Sequence, residues 1–198
     1  MPASPHMSKT GIRKQLLALR EKMLPGMRAA CSEAISARIA NLEIYRQAAT
    51  ILGYMNFGAE FASELWIRQV LANGKRLALP RVNRHTNQLD LYWVDDLENQ
   101  LEPGLWGIRE PVVERCERLA TLNEVEFALL PGVAFSRNGV RLGYGGGFYD
   151  KLLARMAHKP ALVAAAFALQ IVEQIPQDAT DMKVEWIITE QETIACQG

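Results

Sequence analysis

The stretch VEFALLPGVAFSRNGVRLGYGGGFYDKLL, residues 125–153, holds an apolar run, a turn-rich segment, four glycines within five positions and a second apolar run. The first run (125–131) is short and, apart from Glu126, apolar, the pattern of a strand buried on both faces. The last, from 148 to about 157, has the spacing of an amphipathic helix. Gly143, Gly145, Gly146 and Gly147 stand between them. A glycine inside a regular element costs about 0.5–1 kcal/mol relative to alanine, so this cluster answers a need for positive φ or for bare backbone at close approach. An anion resting on backbone N–H groups at a helix N-terminus supplies that need.

Strands and helices alternate outward from this stretch. Ile12, Leu16, Leu19 and Met23 recur at helical spacing, Leu24-Pro25-Gly26 interrupts, and Cys31, Ile35, Ile39 and Leu42 mark a second helix. Residues 50–55 read as a strand and 60–74 as a helix, with Ala62, Trp66 and Val70 on one face and Asn73-Gly74 as its stop. Residues 76–80, 89–94, 161–167 and 184–188 read as further strands, and 95–124 as polar, irregular chain. This order predicts an α/β fold: a single domain with an open, mainly parallel sheet flanked by helices. The glycine-rich loop then falls at the carboxyl end of the strands, where such sheets bind ligands. Residues 1–8 read as a disordered leader and 9–198 as the one domain.

Composition narrows the function classes. With 198 residues, 49% of them apolar, the chain is long enough for one core. Its net charge of zero argues against a nucleic-acid partner. Basic residues nonetheless gather at the start, where Lys9, Arg13, Lys14, Arg20, Lys22, Arg28, Arg38 and Arg46 face only Glu21, Glu33 and Glu43. Most of these are expected on a solvated helix face, with one or two turned to a phosphate. Cys31, Cys116 and Cys196 are odd in number and widely spaced, which suggests neither a disulfide framework nor a zinc site and fits a reducing cytoplasm. No apolar run of membrane-spanning length occurs, so no membrane partner is expected.

The common glycine motifs do not fit. Phe148 occupies the third glycine position of G-x-G-x-x-G, and no suitably placed acid follows about 20 residues on. The one Gly-Lys pair, Gly74-Lys75, is followed by Arg76 where a P-loop needs Ser or Thr. Arg141 just before the glycines could fork onto phosphate oxygens. Asp150 just after them could complement the helix dipole or, beside a polyphosphate, hold Mg²⁺. Arginine, glycines and aspartate within ten residues point to a nucleotide site of an uncommon type.

At this point LLPGVAFSRNGVRLGYGGGFYDKLL closely resembles the signature of the 5-formyltetrahydrofolate cyclo-ligase family. Shorter segments that resemble the same family cover residues 9–190: KTGIR (9–13), MNFGAE (55–60), GKRLALPRV (74–82), LWGIREP (105–111) and DMKVEWIITE (181–190). The resemblance implies an enzyme that uses ATP and Mg²⁺ to turn 5-formyltetrahydrofolate into 5,10-methenyltetrahydrofolate, releasing ADP and phosphate. It implies small-molecule partners, ATP and a reduced folate, and a monomer. It assigns ATP phosphates to Lys9, Arg13, Arg141, Leu142, Gly143, Tyr144, Gly145, Gly146, Gly147, Phe148 and Tyr149, with Arg141 stabilising the charge in transfer. It assigns folate to Met55, Glu60 and Trp106 and to the loop from Tyr144 through Gly145, Gly146 and Gly147 to Phe148. Asp150 and Asp181 would ligate Mg²⁺. Bland readings stand beside several of these: solvated cations for Lys9 and Arg13, a first-turn helix acid for Glu60, a turn cap for Asp181 and plain core for Trp106. The chain departs from the usual family pattern at Phe61-Ala62-Ser63, Thr180 and Glu185. Two other classes remain open on residues alone: a sugar-phosphate isomerase or transferase, and a non-catalytic nucleotide- or folate-binding module.

Overall fold

Ser8 opens the first helix, its side-chain oxygen accepting the Gly11 N–H at 3.2 Å, the usual satisfaction of an orphan donor. In chain order the elements are α1 (Lys9–Glu21), α2 (Pro25–Ala40), α3 (Glu43–Gln47), β1 (Thr50–Leu52), α4 (Ser63–Ala72), β2 (Arg76–Asn83), β3 (Gln88–Trp93), β4 (Leu101–Pro103), β5 (Arg109–Pro111), β6 (Phe127–Leu130), β7 (Ala134–Ser136), β8 (Arg141–Leu142), α5 (Phe148–Ala154), β9 (Ala161–Ala165), β10 (Ile171–Val172), β11 (Trp186–Ile188) and β12 (Thr193–Ala195). A computed structural model describes residues 7–178 and 180–196. Residues 1–6 of the expected leader lie outside the described residues, whereas Ser8 belongs to the fold as a helix cap.

The main sheet has seven strands in the order β12-β11-β9-β6-β1-β2-β3. The five central strands pair in parallel, and β12 and β3 close the edges antiparallel. β6 is buried at all four positions because helices cover both of its faces, which is why its sequence runs FALL without alternation. On one face α2, α3 and α4 pack Ile35, Ile39, Tyr45, Trp66 and Val70 against Ile51, Phe127 and Leu129. On the other, Leu152 and Leu153 of α5, with Met156 just beyond it, pack against Leu52, Ala128 and Leu130. A third cluster seats α1, through Ile12 and Leu16, on the small β10-β7-β8 sheet.

Strand order reverses between β1 and β6: chain order proceeds outward to β2 on one side and to β9 and β11 on the other. The crevice beyond the carboxyl ends at such a point is where open α/β sheets bind ligands. The predicted 60–74 helix is shorter, starting at Ser63, so Glu60 belongs to the loop leaving β1 and not to a first helical turn. The 95–124 stretch, read as irregular, contains the β4–β5 hairpin. No helix among the described residues is long and apolar enough to cross a membrane.

Candidate active site

A cavity of about 720 Å³ opens at the reversal point. Tyr54, Met55 and Glu60 reach it from the loop after β1, Pro131 from the end of β6, and Arg141 and Asp150 from either side of the glycine loop. Its remaining wall is largely apolar, with Pro80, Val82 and Leu89 from β2 and β3. Trp106 and Ile108 come from the β4–β5 hairpin. Such a lining, with a few convergent polar groups, suits a flat heteroaromatic ligand better than a sugar phosphate.

The glycine loop is shaped by its lack of side chains. A Cβ on Gly146 would stand 2.7 Å from the Phe148 ring, closer than packing allows. Gly147 caps α5 at φ 64°, the left-handed region that L-residues avoid. Tyr144 and Phe148 flank the cavity, and Tyr149 lies beneath it with its hydroxyl pKa pushed up by burial. Leu142 is buried, and its carbonyl accepts the Val133 N–H at 2.7 Å, anchoring the start of the loop to the small sheet. Arg141 is 6% exposed: Nη2 donates to Asp150 Oδ1 at 2.9 Å and Nη1 to the Pro131 carbonyl at 3.2 Å. Its Nε is buried without a partner among the described residues. A buried, unpaired guanidinium N–H costs on the order of 1–3 kcal/mol.

Glu60 is buried in the same cavity wall. Its Oε2 accepts the Phe57 N–H at 2.7 Å and its Oε1 the Tyr144 hydroxyl at 2.6 Å. Burial raises its pKa above the ordinary carboxylate value, while Tyr144, the Phe57 N–H and Arg20 pull the other way. Phe61 is packed into the core, and Ser63 Oγ donates to the Tyr54 carbonyl at 2.5 Å. That part of the chain's departure from the family pattern therefore supports the wall without entering it. Trp106 is 62% exposed and held at φ 59° between Gly104 and Gly107, so it projects at the cavity edge and is not core.

Of the N-terminal cations, Arg13 reaches the glycine loop and Lys9 reaches Asp178 and Asp181. Arg13 Nε donates to the Gly143 carbonyl at 2.7 Å, and Lys9 Nζ lies 2.6 Å from both Asp178 and Asp181. Burial would lower the Lys9 pKa, but its two carboxylate partners hold it above the free value. Burial would likewise raise Asp181, and the Asp178 N–H together with Lys9 bring it below. Asp181 Oδ2 also caps its own turn, accepting the Asp178 N–H at 2.9 Å, so the turn-cap reading of Asp181 describes that oxygen.

Among the described residues no group of three or more His, Cys, Asp or Glu side chains forms a ready metal cluster. Mg²⁺ asks for less, keeping several waters and taking one or two carboxylates beside phosphate oxygens. Asp150 suits that demand. Its Oδ1 accepts from Arg141 and from the Met182 N–H at 3.1 Å, and Oδ2 has no protein partner among the described residues. Arg20, named only within the basic cluster, and Glu110, named only within LWGIREP, are both buried and had no site role assigned from the sequence. For Arg20 there was a signal: at about 100° per residue, Lys9, Arg13 and Arg20 fall within roughly 40° of one another on α1.

The chain matches the family model described as 5-formyltetrahydrofolate cyclo-ligase family over residues 5–190. It is 29% identical over 191 residues to the 5-formyltetrahydrofolate cyclo-ligase of Mus musculus, covering 92% of this chain and 94% of that one. It is 28% identical over 172 residues to that of Haemophilus influenzae, covering 86% and 91%. Among solved structures, the NMR structure of Aquifex aeolicus 5,10-methenyltetrahydrofolate synthetase superposes with a TM-score of 0.85 at 32% identity, over 97% of this chain and 94% of that one.

Proposed function

The chain belongs to the 5-formyltetrahydrofolate cyclo-ligase family, and from that premise we propose that it converts 5-formyltetrahydrofolate to 5,10-methenyltetrahydrofolate with ATP as phosphoryl donor and Mg²⁺ as its companion ion. The observation that carries this reading is one cavity holding Glu60 together with Arg141, Asp150 and the glycine loop, so that a folate and a triphosphate meet in it.

The chemistry sets what these groups must do. An N5-formyl group is amide-like: its carbon is a weak electrophile and its oxygen a poor leaving group. Phosphoryl transfer to that oxygen makes it a phosphate ester, and N10 then adds to the activated carbon and gives up its proton to solvent. Phosphate departs with the C–O bond electrons, leaving the methenyl bridge. The protein's work is alignment and charge stabilisation, not covalent catalysis. The Glu60 carboxylate accepts N–H bonds from the aminopyrimidine edge of the pterin, with Met55 and Trp106 against its faces. Backbone N–H groups of the loop from Leu142 to Tyr149, with Lys9 and Arg13, receive the phosphates. Arg141, in the cavity wall, offers its guanidinium charge to the transferring group. Asp150, with Asp181 one residue before the Met182 whose N–H Asp150 accepts, would hold the Mg²⁺, which would supply neutralisation of phosphate charge.

The route of the oxygen tests the proposal. Substrate labelled with ¹⁸O in the formyl group should deliver the label to inorganic phosphate, and Arg141→Ala should slow turnover by roughly 100-fold, the usual loss for one transition-state donor. Label appearing in water, or an unimpaired Arg141→Ala, would contradict it.

A further inference from the structure

Resting on the folate assignment of Glu60, we infer that Arg20 is a positioning residue for substrate recognition: acting through the Tyr144 hydroxyl, it holds the Glu60 carboxylate aimed into the cavity as an acceptor. Arg20 sits in the last turn of α1, only 3% exposed. Its Nη2 donates to the Tyr144 hydroxyl at 2.5 Å, and that hydroxyl donates onward to Glu60 Oε1 at 2.6 Å. A favourable interaction with the helix dipole needs no burial, and Arg20 Nε is left buried without a partner. The guanidinium is therefore not placed to satisfy its own donors. It is placed at the end of a chain of two short hydrogen bonds that terminates on a carboxylate.

The groups around Glu60 single out Arg20 as the charge that matters. Facing it are Arg20 from α1, Tyr144 from the glycine loop, Tyr54 from the loop after β1 and Tyr149 from α5. Burial pushes the hydroxyls of Tyr54, Tyr144 and Tyr149 up, so all three stay neutral. Burial also favours a protonated Glu60; the Tyr144 hydroxyl and the Phe57 N–H oppose it, and so does Arg20, the one cation acting on Glu60 among the described residues. A protonated Glu60 would offer the pterin edge an O–H where an acceptor is needed.

Steady-state kinetics of the wild type, Arg20→Met, Arg20→Lys and Tyr144→Phe over a pH series test this, with melting curves recorded for each. Arg20→Met should raise the KM for 5-formyltetrahydrofolate roughly tenfold or more on the acid side, the scale of a charge-assisted hydrogen bond. The acid limb of kcat/KM should move to higher pH, while kcat at saturating folate and the KM for ATP stay near wild type. Arg20→Lys should recover part of the loss. Tyr144→Phe should act in the same direction and add little in the Arg20→Met background, because the two lie in series. A KM change equal at every pH, a loss confined to kcat, or additive effects of the two substitutions would overturn the inference. Should Arg20→Met not fold, Arg20→Lys and Tyr144→Phe still decide it. If the wild type binds 5-formyltetrahydrofolate without turnover, the proposed reaction fails while the same pH comparison, read by equilibrium binding, still tests Arg20. A wild type that neither binds nor converts the folate overturns both.

Discussion

Glu60 is buried at a place where a neutral side chain would be more stable. Its folded pKa lies above the unfolded value of 4.5 because desolvation outweighs its hydrogen bonds. The stability associated with this group is therefore present below that value and lost as pH rises through the folded one. At neutral pH, Glu60→Gln should leave the melting temperature unchanged or raise it by a few degrees, about 2–4 °C per kcal/mol at this size. The same substitution should weaken 5-formyltetrahydrofolate binding by roughly tenfold or more, measured by titration. A large fall in melting temperature would show that Glu60 serves the fold and not the ligand. Gly146 makes a complementary case, since a Cβ there would drive into the Phe148 ring. Gly146→Ala should cut turnover while the far-ultraviolet circular dichroism stays native. The glycine cluster was legible in the sequence because only backbone geometry explains it. The environment of Glu60 was not, because Arg20 and Tyr144 reach it across 40 and 84 positions of chain, both differences in residue number.

Two elements flank the loops that line the cavity: α1, which braces the glycine loop, and the β4–β5 hairpin, which brings Trp106 and Ile108 to the wall. α1 is stapled to the glycine loop by Arg13 on Gly143 and by Arg20 on Tyr144, which sets its basic stripe beside that loop. Lys9→Ala and Arg13→Ala should each raise the KM for ATP roughly tenfold with little loss of stability, as kinetics and melting curves would show. The amphipathic pattern of Ile12 and Leu16 announced α1 in the sequence. The hairpin was hidden because its strands have three residues each and no room for a period to show. The strands of the small β10-β7-β8 sheet, two or three residues long, were missed for the same reason. Trp106 projects from the hairpin at positive φ, and Trp106→Ala should abolish most of the tryptophan fluorescence change on folate binding and raise the folate KM. An unaltered fluorescence change would place the ligand elsewhere.

At the scale of the molecule, the order β9-β6-β1-β2 creates the crevice, and the buried run of β6 holds it together. Leu129 is fully buried there. Leu129→Ala should cost about 2–5 kcal/mol and lower the melting temperature by roughly 10 °C, with the folate KM little changed in the fraction that stays folded. The parallel sheet and the place of its ligand end could be read from alternating strands and helices, because continuous apolar runs mark strands covered on both faces. The edge strand β12 could not, since Thr193 and Ala195 are exposed and only Ile194 is buried. What remains is whether the assembled site does the chemistry assigned to it. Purified protein mixed with 5-formyltetrahydrofolate, ATP and Mg²⁺ should produce the methenyl product, seen by its near-ultraviolet absorbance, with one ADP formed for each. Binding of both substrates without product, or product without ADP, would contradict the account.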